Sequence, residues 1–175
     1  MIQIAGGVVV GLIVAVLAYA ATRSGTLRVE RATSINAPPE KIFPLINDFH
    51  RWASWSAYEK KDPAMKRTFS GADAGEGAVY EWDGNGNVGS GRMEIIGSSR
   101  PSKVTIKLDF ITPFEGHSVA DFTMEPDGAS TSVRWAMHGP NRFIGKVMGV
   151  FINMDRMIGK DFEIGLANLK SVVEE

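Results

Sequence analysis

Glu81, Asp109, His117 and Asp121 are the side chains in this sequence best suited to moving a proton. Taking a proton from carbon next to a carbonyl needs such a base, together with a donor that holds the oxygen on which charge develops. Tyr80 is the candidate donor. The residues around them argue against that use. His117 and Asp121 fall in the phase opposite to Phe122 and Met124, and Glu81 and Asp109 likewise oppose their apolar neighbours. Side chains alternate across a strand, so all four carboxylate and imidazole groups are expected to face water with ordinary pKa values. Tyr80 lies in the inward phase and can donate a hydrogen bond, but a phenol alone is a poor base. No catalytic residue is therefore assigned, and the sequence reads as a binding protein sooner than an enzyme.

Other chemistries are excluded more simply. The chain has no cysteine, which removes disulfides, thiolate catalysis and cysteine-ligated zinc. His50, His117 and His138 lie far apart with no His-x-x-x-His spacing, so no metal site and no cofactor is expected. His138, beside Gly139-Pro140, reads as an exposed turn residue. Gly84-Asn85-Gly86 and Gly89-Ser90-Gly91 fall within hairpins and read as turns and close strand crossings, not as a phosphate loop between strand and helix. Glu59-Lys60-Lys61-Asp62 reads as a solvated loop. With a formal net charge of −1 and both signs interspersed, the surface lacks the basic patch that nucleic acid would need.

The elements that must position any site are legible from periodicity. Phe143, Val147, Phe151, Met154, Ile158, Phe162, Leu166, Leu169 and Val173 recur at helical spacing, which predicts one long C-terminal helix over Asn141–Val173 with an apolar face. Upstream the period drops to two. Leu27–Ile35 predicts a first strand, and Met65–Phe69, Ala78–Trp82, Met93–Ile95, Val104–Phe110, Ala120–Met124 and Val133–Met137 predict six more. Asp83-Gly84, Asn85-Gly86 and Asp127-Gly128 mark hairpin turns. One oily and one charged face per strand indicates an antiparallel sheet, which twists and curls. Between the first two strands, Ile42, Phe43, Leu45, Ile46 and Phe49 predict a short amphipathic helix, with Asn36 as its cap and proline in its first turn. The expected architecture is α+β: a seven-stranded curved antiparallel sheet whose concave face is covered by the C-terminal helix, over residues 27–175.

Residues 1–22 form a separate segment. Ile4–Ala21 is an unbroken run of apolar and glycine residues, and about twenty helical residues match a hydrocarbon core of about 30 Å. Residues 2–21 are therefore expected to form a single transmembrane helix. The alternative is a signal peptide cleaved after Ala18-Tyr19-Ala20. Gly7-x-x-x-Gly11 is a pattern that lets two such helices approach, although it is common by chance in glycine-rich apolar segments. Arg23, Arg28 and Arg31 follow the run, so the positive-inside rule favours a cytoplasmic C-terminal domain, with an extracytoplasmic one as the alternative.

Ile35-Asn36-Ala37-Pro38-Pro39-Glu40-Lys41-Ile42-Phe43 resembles the opening motif I-x-A-P-x-E-x-V-F of the START-like superfamily, and more narrowly of the bacterial SRPBCC proteins described as polyketide cyclase/dehydrase and lipid transport. Trp52-Ala53-Ser54-Trp55-Ser56, Gly89–Ile95, Leu108–Phe114, Val133–Met137 and Gly159–Lys170 are similar to the same proteins. The resemblance runs from Leu27 to the C-terminus. It implies the helix-grip (START/Bet v 1-like) fold and a cavity between sheet and helix. It is poorly specific for activity, since carriers, cyclases and receptors share the fold.

Tyr80, Trp82, Met93, Ile106, Leu108, Phe110, Phe122, Trp135, Met137, Phe151, Met154 and Ile158 are expected to line that cavity. Met137, Met148, Met154 and Met157 suit an adaptable wall. Trp52 and Trp55 are read as a plug between the short helices and the sheet, with a rim beside a flexible Tyr58–Pro63 segment as the alternative. The expected partner is an apolar or amphiphilic small molecule of lipid or isoprenoid type. The alternatives are an enzyme of cyclase/dehydrase type and an interaction module with a solid core. The oligomeric state is not legible.

Overall fold

The computed structural model describes residues 2–175, with side chains from Val10 onward. Its elements are α1 (Ile2–Thr22), β1 (Thr26–Ile35), α2 (Pro39–Asn47), a 3-10 segment (Phe49–Ser54), α3 (Ala57–Lys61), β2 (Lys66–Gly71), β3 (Ala78–Asp83), β4 (Ser90–Ser99), β5 (Lys103–Thr112), β6 (Gly116–Asp127), β7 (Ser130–Pro140), α4 (Phe143–Phe151) and α5 (Met154–Glu174). The strands form one antiparallel sheet in the order β1-β7-β6-β5-β4-β3-β2. This is a meander whose last strand pairs back onto its first. Register shifts at Ser90/Gly91 and Ile95/Gly97 in the β4–β5 ladder mark bulges, which bend a sheet and deepen its twist.

The apolar phases point to the concave side. Val29, Ile35, Ile95, Val104, Ile106, Met124 and Val133 are buried there, and α5 closes over them with Phe162, Leu166 and Leu169. Phe162 stacks on Trp135 with ring centroids 3.9 Å apart and planes 7° from parallel. Gly165 allows this approach, because a Cβ at that position would stand 3.1 Å from the Trp135 ring. At the edge of the sheet, Arg31 of β1 reaches α5. Its Nε donates to Glu163 Oε1 at 2.6 Å and its Nη2 to Asp155 Oδ2 at 3.1 Å.

The C-terminal rod is two helices, not the single one expected. Ile152-Asn153 interrupts it, and the Asn153 side chain accepts a hydrogen bond from the Arg156 amide at 2.9 Å. An asparagine that caps the following turn competes with continued helix. The break frees α4 from the sheet, and none of its residues is buried. Three smaller expectations also change. Pro38, not Asn36, precedes the first turn of α2, and the Asn36 side chain accepts from Ser130 Oγ instead. Tyr58–Pro63 is largely α3, not a flexible segment. His138 is a half-buried residue inside β7, opposite Arg28.

Leu12, Ile13, Val16 and Leu17 of α1 face Val147 and Phe151 of α4 across a shallow crevice. Among the described residues no helix is long and apolar enough to cross a membrane. The first part of the expected span, including Gly7 of Gly7-x-x-x-Gly11, lies outside the described side chains.

Truncating the residue that pins α5 is predicted to be severe. Phe162→Ala should lose about 3–5 kcal/mol in urea unfolding of the full chain. A loss below about 1 kcal/mol would mean that α5 is held mainly elsewhere.

Candidate ligand-binding site

The concave face is only half filled. At one end Trp52, Trp55, Phe122 and Trp135 interlock, with centroids 4.8–6.4 Å apart. Trp52 Nε1 donates to the Ile46 carbonyl at 3.0 Å and Trp55 Nε1 to the Leu45 carbonyl at 2.9 Å. Both rings therefore plug the joint between α2 and the sheet. At the other end a cavity of about 1100 Å³ opens between the sheet and the two C-terminal helices. That is slightly above the size usual for small-molecule sites, so this end of the concave face is not packed solid.

Tyr80 and Trp82 of β3, Met93 of β4, Ile106, Leu108 and Phe110 of β5, and Trp135 and Met137 of β7 stand along the sheet side of this cavity. Phe151, Met154 and Ile158 stand along its helical side. Phe122 does not reach it. It is wholly buried between Trp55 and Trp135, because its phase sets the face of the sheet but its place along β6 falls at the filled end. Gly91 is paired with Trp82 across the β3–β4 ladder. A Cβ there would collide with the indole, so only glycine lets Trp82 lie against the wall, with its Nε1 donating to the Val88 carbonyl at 3.1 Å.

The cavity also has a polar band that the sequence reading did not find. Glu59 and Asp62 are buried, so the expected solvated loop is a structural helix instead. Tyr80 Oη donates to Glu59 Oε1 at 2.6 Å, and Arg67 Nε donates to Glu59 Oε2 at 2.7 Å. The Glu59 side chain is 7% exposed, and a carboxylate that buried is tolerated only when paired and hydrogen-bonded. Opposite, Lys61 Nζ donates to Asp161 Oδ2 at 2.6 Å, with the aspartate side chain 12% exposed. Burial and the Asp161 charge push the Tyr58 phenol above its ordinary value. For Tyr80, burial and the Glu59 carboxylate act the same way. Both tyrosines stay neutral donors. Spacing contained one signal for this band: Asp161 follows Ile158 by three and precedes Gly165 by four, which sets it on the apolar row of α5.

The proton-transfer candidates lie elsewhere. Glu81 is exposed on the convex face. Asp121 is held by Thr105 Oγ1 at 2.7 Å and Lys103 Nζ at 3.0 Å, and Asp109 by His117 Nδ1 at 2.7 Å and Lys107 Nζ at 2.9 Å. His117 reaches only the rim of the mouth. The sequence suggested ordinary values for these two aspartates, and the structure corrects that. Partial burial raises Asp109, but the bonds from His117 and Lys107 outweigh it and hold the carboxyl below its usual value. At Asp121 burial is likewise outweighed, by Thr105 and Lys103.

The family model described as polyketide cyclase / dehydrase and lipid transport matches residues 26–174. The chain belongs to that family. Solved structures resemble it at low identity. Protein CV1439 from Chromobacterium violaceum aligns with a TM-score of 0.59 at 15% identity, covering 86% of this chain and 98% of that one. Protein MLL2253 from Mesorhizobium loti aligns at 0.60 and 18%, covering 85% and 96%. DynU16, a protein of the dynemicin biosynthetic locus, aligns at 0.59 and 16%, covering 84% of this chain and 47% of its own. At such identities the likeness concerns the fold. No curated protein matches the sequence.

Depressed carboxyl groups predict acid sensitivity. A group whose folded pKa lies below its unfolded value contributes stability that is present above the unfolded value and lost as pH falls through the folded one. For Asp109 and Asp121 the window therefore lies at and below the reference value of 3.8. Urea unfolding followed from neutral pH into that window should show a shallower acid decline for Asp109→Asn and Asp121→Asn than for the parent chain. An unchanged decline would show that neither pair contributes.

Proposed function

We propose that this chain is a membrane-tethered carrier for an apolar or amphiphilic small molecule, of lipid or isoprenoid type, held in the cavity between the sheet and α4–α5. The observation that carries the reading is a void of about 1100 Å³ whose walls are largely aliphatic, aromatic and thioether groups, with a polar band inside and charged groups such as Arg28, Glu115 and Arg142 at the mouth. Water gains little in such a space, whereas a hydrocarbon body removes its own surface and the wall's surface from solvent. The band of Tyr58, Lys61 and Asp161 offers donors and an acceptor to a polar end group. The apolar run Ile4–Ala21 supports the tether, and the arginines after it support a cytoplasmic domain.

A second reading is an enzyme of cyclase or dehydrase type on a similar ligand. What favours it is that the carboxylates of Glu59 and Asp161 stand in the cavity wall. Each, however, is already paired with a cation of the protein itself at 2.6–2.7 Å.

Occupancy is the test. Native mass spectrometry of the full chain, released in polymer-bounded membrane discs, should find a bound apolar molecule. Leu108→Trp and Met137→Trp, which fill the void, should lower its occupancy by about tenfold or more, equivalent to about 1.4 kcal/mol. Consistently empty parent protein, or filled variants as occupied as the parent, would sink the carrier reading. An altered ligand mass after incubation with the parent but not with Asp161→Asn would favour the enzyme.

A further inference from the structure

We propose that the rim of the cavity mouth is a lipid-docking surface, seated on the bilayer so that a ligand passes between hydrocarbon and cavity without crossing water. The inference rests on the tethered-carrier reading and adds where and how exchange takes place.

Three observations converge. The rim carries exposed apolar side chains on both sides of the opening, among the charged groups of Glu115, Arg142 and Lys146. Phe114, in the β5–β6 loop, is 52% exposed, and across from it Phe151 of α4 is 73% exposed, with Ile144 and Ile152 also open to solvent. In α4, Phe143–Phe151, the only charged residue is Lys146. A helix with no buried residue is ordinarily polar, and contiguous exposed apolar surface marks an interaction site.

The ladder then fixes which way this rim faces. Thr26 pairs with Pro140 and Ile35 with Thr131, so β1 starts at the end of the sheet where β7 runs into α4. The β5–β6 loop is at that same end, since Phe110 pairs with Gly116 beside it. The apolar helix α1 therefore enters the domain at the mouth, and it lies against α4 through Val147 and Phe151.

Charge placement agrees. Arg23 sits 5.4 Å over the Tyr19 ring, and a Cβ on Gly149 of α4 would stand 3.8 Å from Arg23 Nη1. Tyrosine and arginine at the end of an apolar helix mark the headgroup level, and here that level meets the C-terminal half of α4. A bilayer accounts for this surface better than a second copy of the chain. Val10, Leu12, Ile13, Val14, Leu17 and Tyr19 are all exposed, and at 3.6 residues per turn they spread over most of the α1 circumference. One protein partner covers one face of a helix; hydrocarbon covers all of them.

The chain has no cysteine, so single labels are specific. Leu12→Cys, Phe114→Cys, Ile144→Cys and, at the far end of the sheet, Asp127→Cys would each carry an environment-sensitive fluorophore. The full chain is then reconstituted in vesicles of phosphatidylcholine and phosphatidylglycerol containing nitroxide-bearing lipid. Labels at 12, 114 and 144 are expected to lose most of their emission, and the label at 127 to keep it. Quenching at 12 without quenching at 114 and 144 overturns the docking surface and leaves the tether standing. No quenching at 12 overturns the tether, and the inference falls with it. Rim labels that shift only as protein density rises, with no lipid quenching, assign the rim to a second copy and also overturn the proposal.

Discussion

The stack of Phe162 on Trp135 is the contact on which the rest of the architecture depends. It fixes α5 over one half of the concave sheet, where Trp52, Trp55 and Phe122 complete a solid aromatic block. Five large rings packed at organic-crystal density leave no freedom there. The same block acts as a spacer. It sets the height of α5 above the sheet, and towards Ile158 and Met154 the helix then stands over a wall where Tyr80, Trp82 and Phe110 pack on one another along the sheet. A void is the geometric result. Because the chain breaks at Asn153, α4 does not descend to fill that void and only borders it.

The polar groups inside the cavity follow from the same spacing. A buried carboxylate without partners would cost several kcal/mol, so Glu59 and Asp161 are each matched to a cation and, for Glu59, to a phenol as well. These pairs close the electrostatic accounts of the wall from within the protein. What remains on offer to a ligand is neutral donors and a carboxylate already in partnership, beside a much larger apolar area. That balance is what supports the carrier reading proposed above.

Much of the fold was legible in the sequence because one face of each strand is dry. Alternation located all seven strands, and Asp-Gly and Asn-Gly located turns between them. Phase fixed the inward set as well, and most of the residues so chosen stand along the cavity. Depth was not legible: Phe122 has the same phase as the wall residues yet lies in the filled end, since a period of two reports the face and not the position along it. The break in the C-terminal rod was hidden for a related reason. Ile152 and Met154 keep an apolar rhythm across Asn153, whose capping role emerges only when its side chain turns back to the Arg156 amide. Glu59 and Asp62 were misjudged because a run of charges reads as solvent-facing. Arg67 and Tyr80, which hold Glu59, and Asp161, which holds the exposed Lys61, come from distant stretches that only the fold brings together.

The central claim is that the domain is filled at one end and hollow at the other, and methionine methyl groups report on both. Met93 and Met137 line the void, while Met124 is buried in the packed part of the sheet. The decisive measurement is methyl NMR of methionine-labelled full chain in lipid nanodiscs, titrated with a long-chain alkyl compound bearing a nitroxide. The account predicts that the Met93 and Met137 methyl signals broaden while that of Met124 stays sharp. If all three stay sharp, or all three broaden alike, the hollow-and-filled division is wrong.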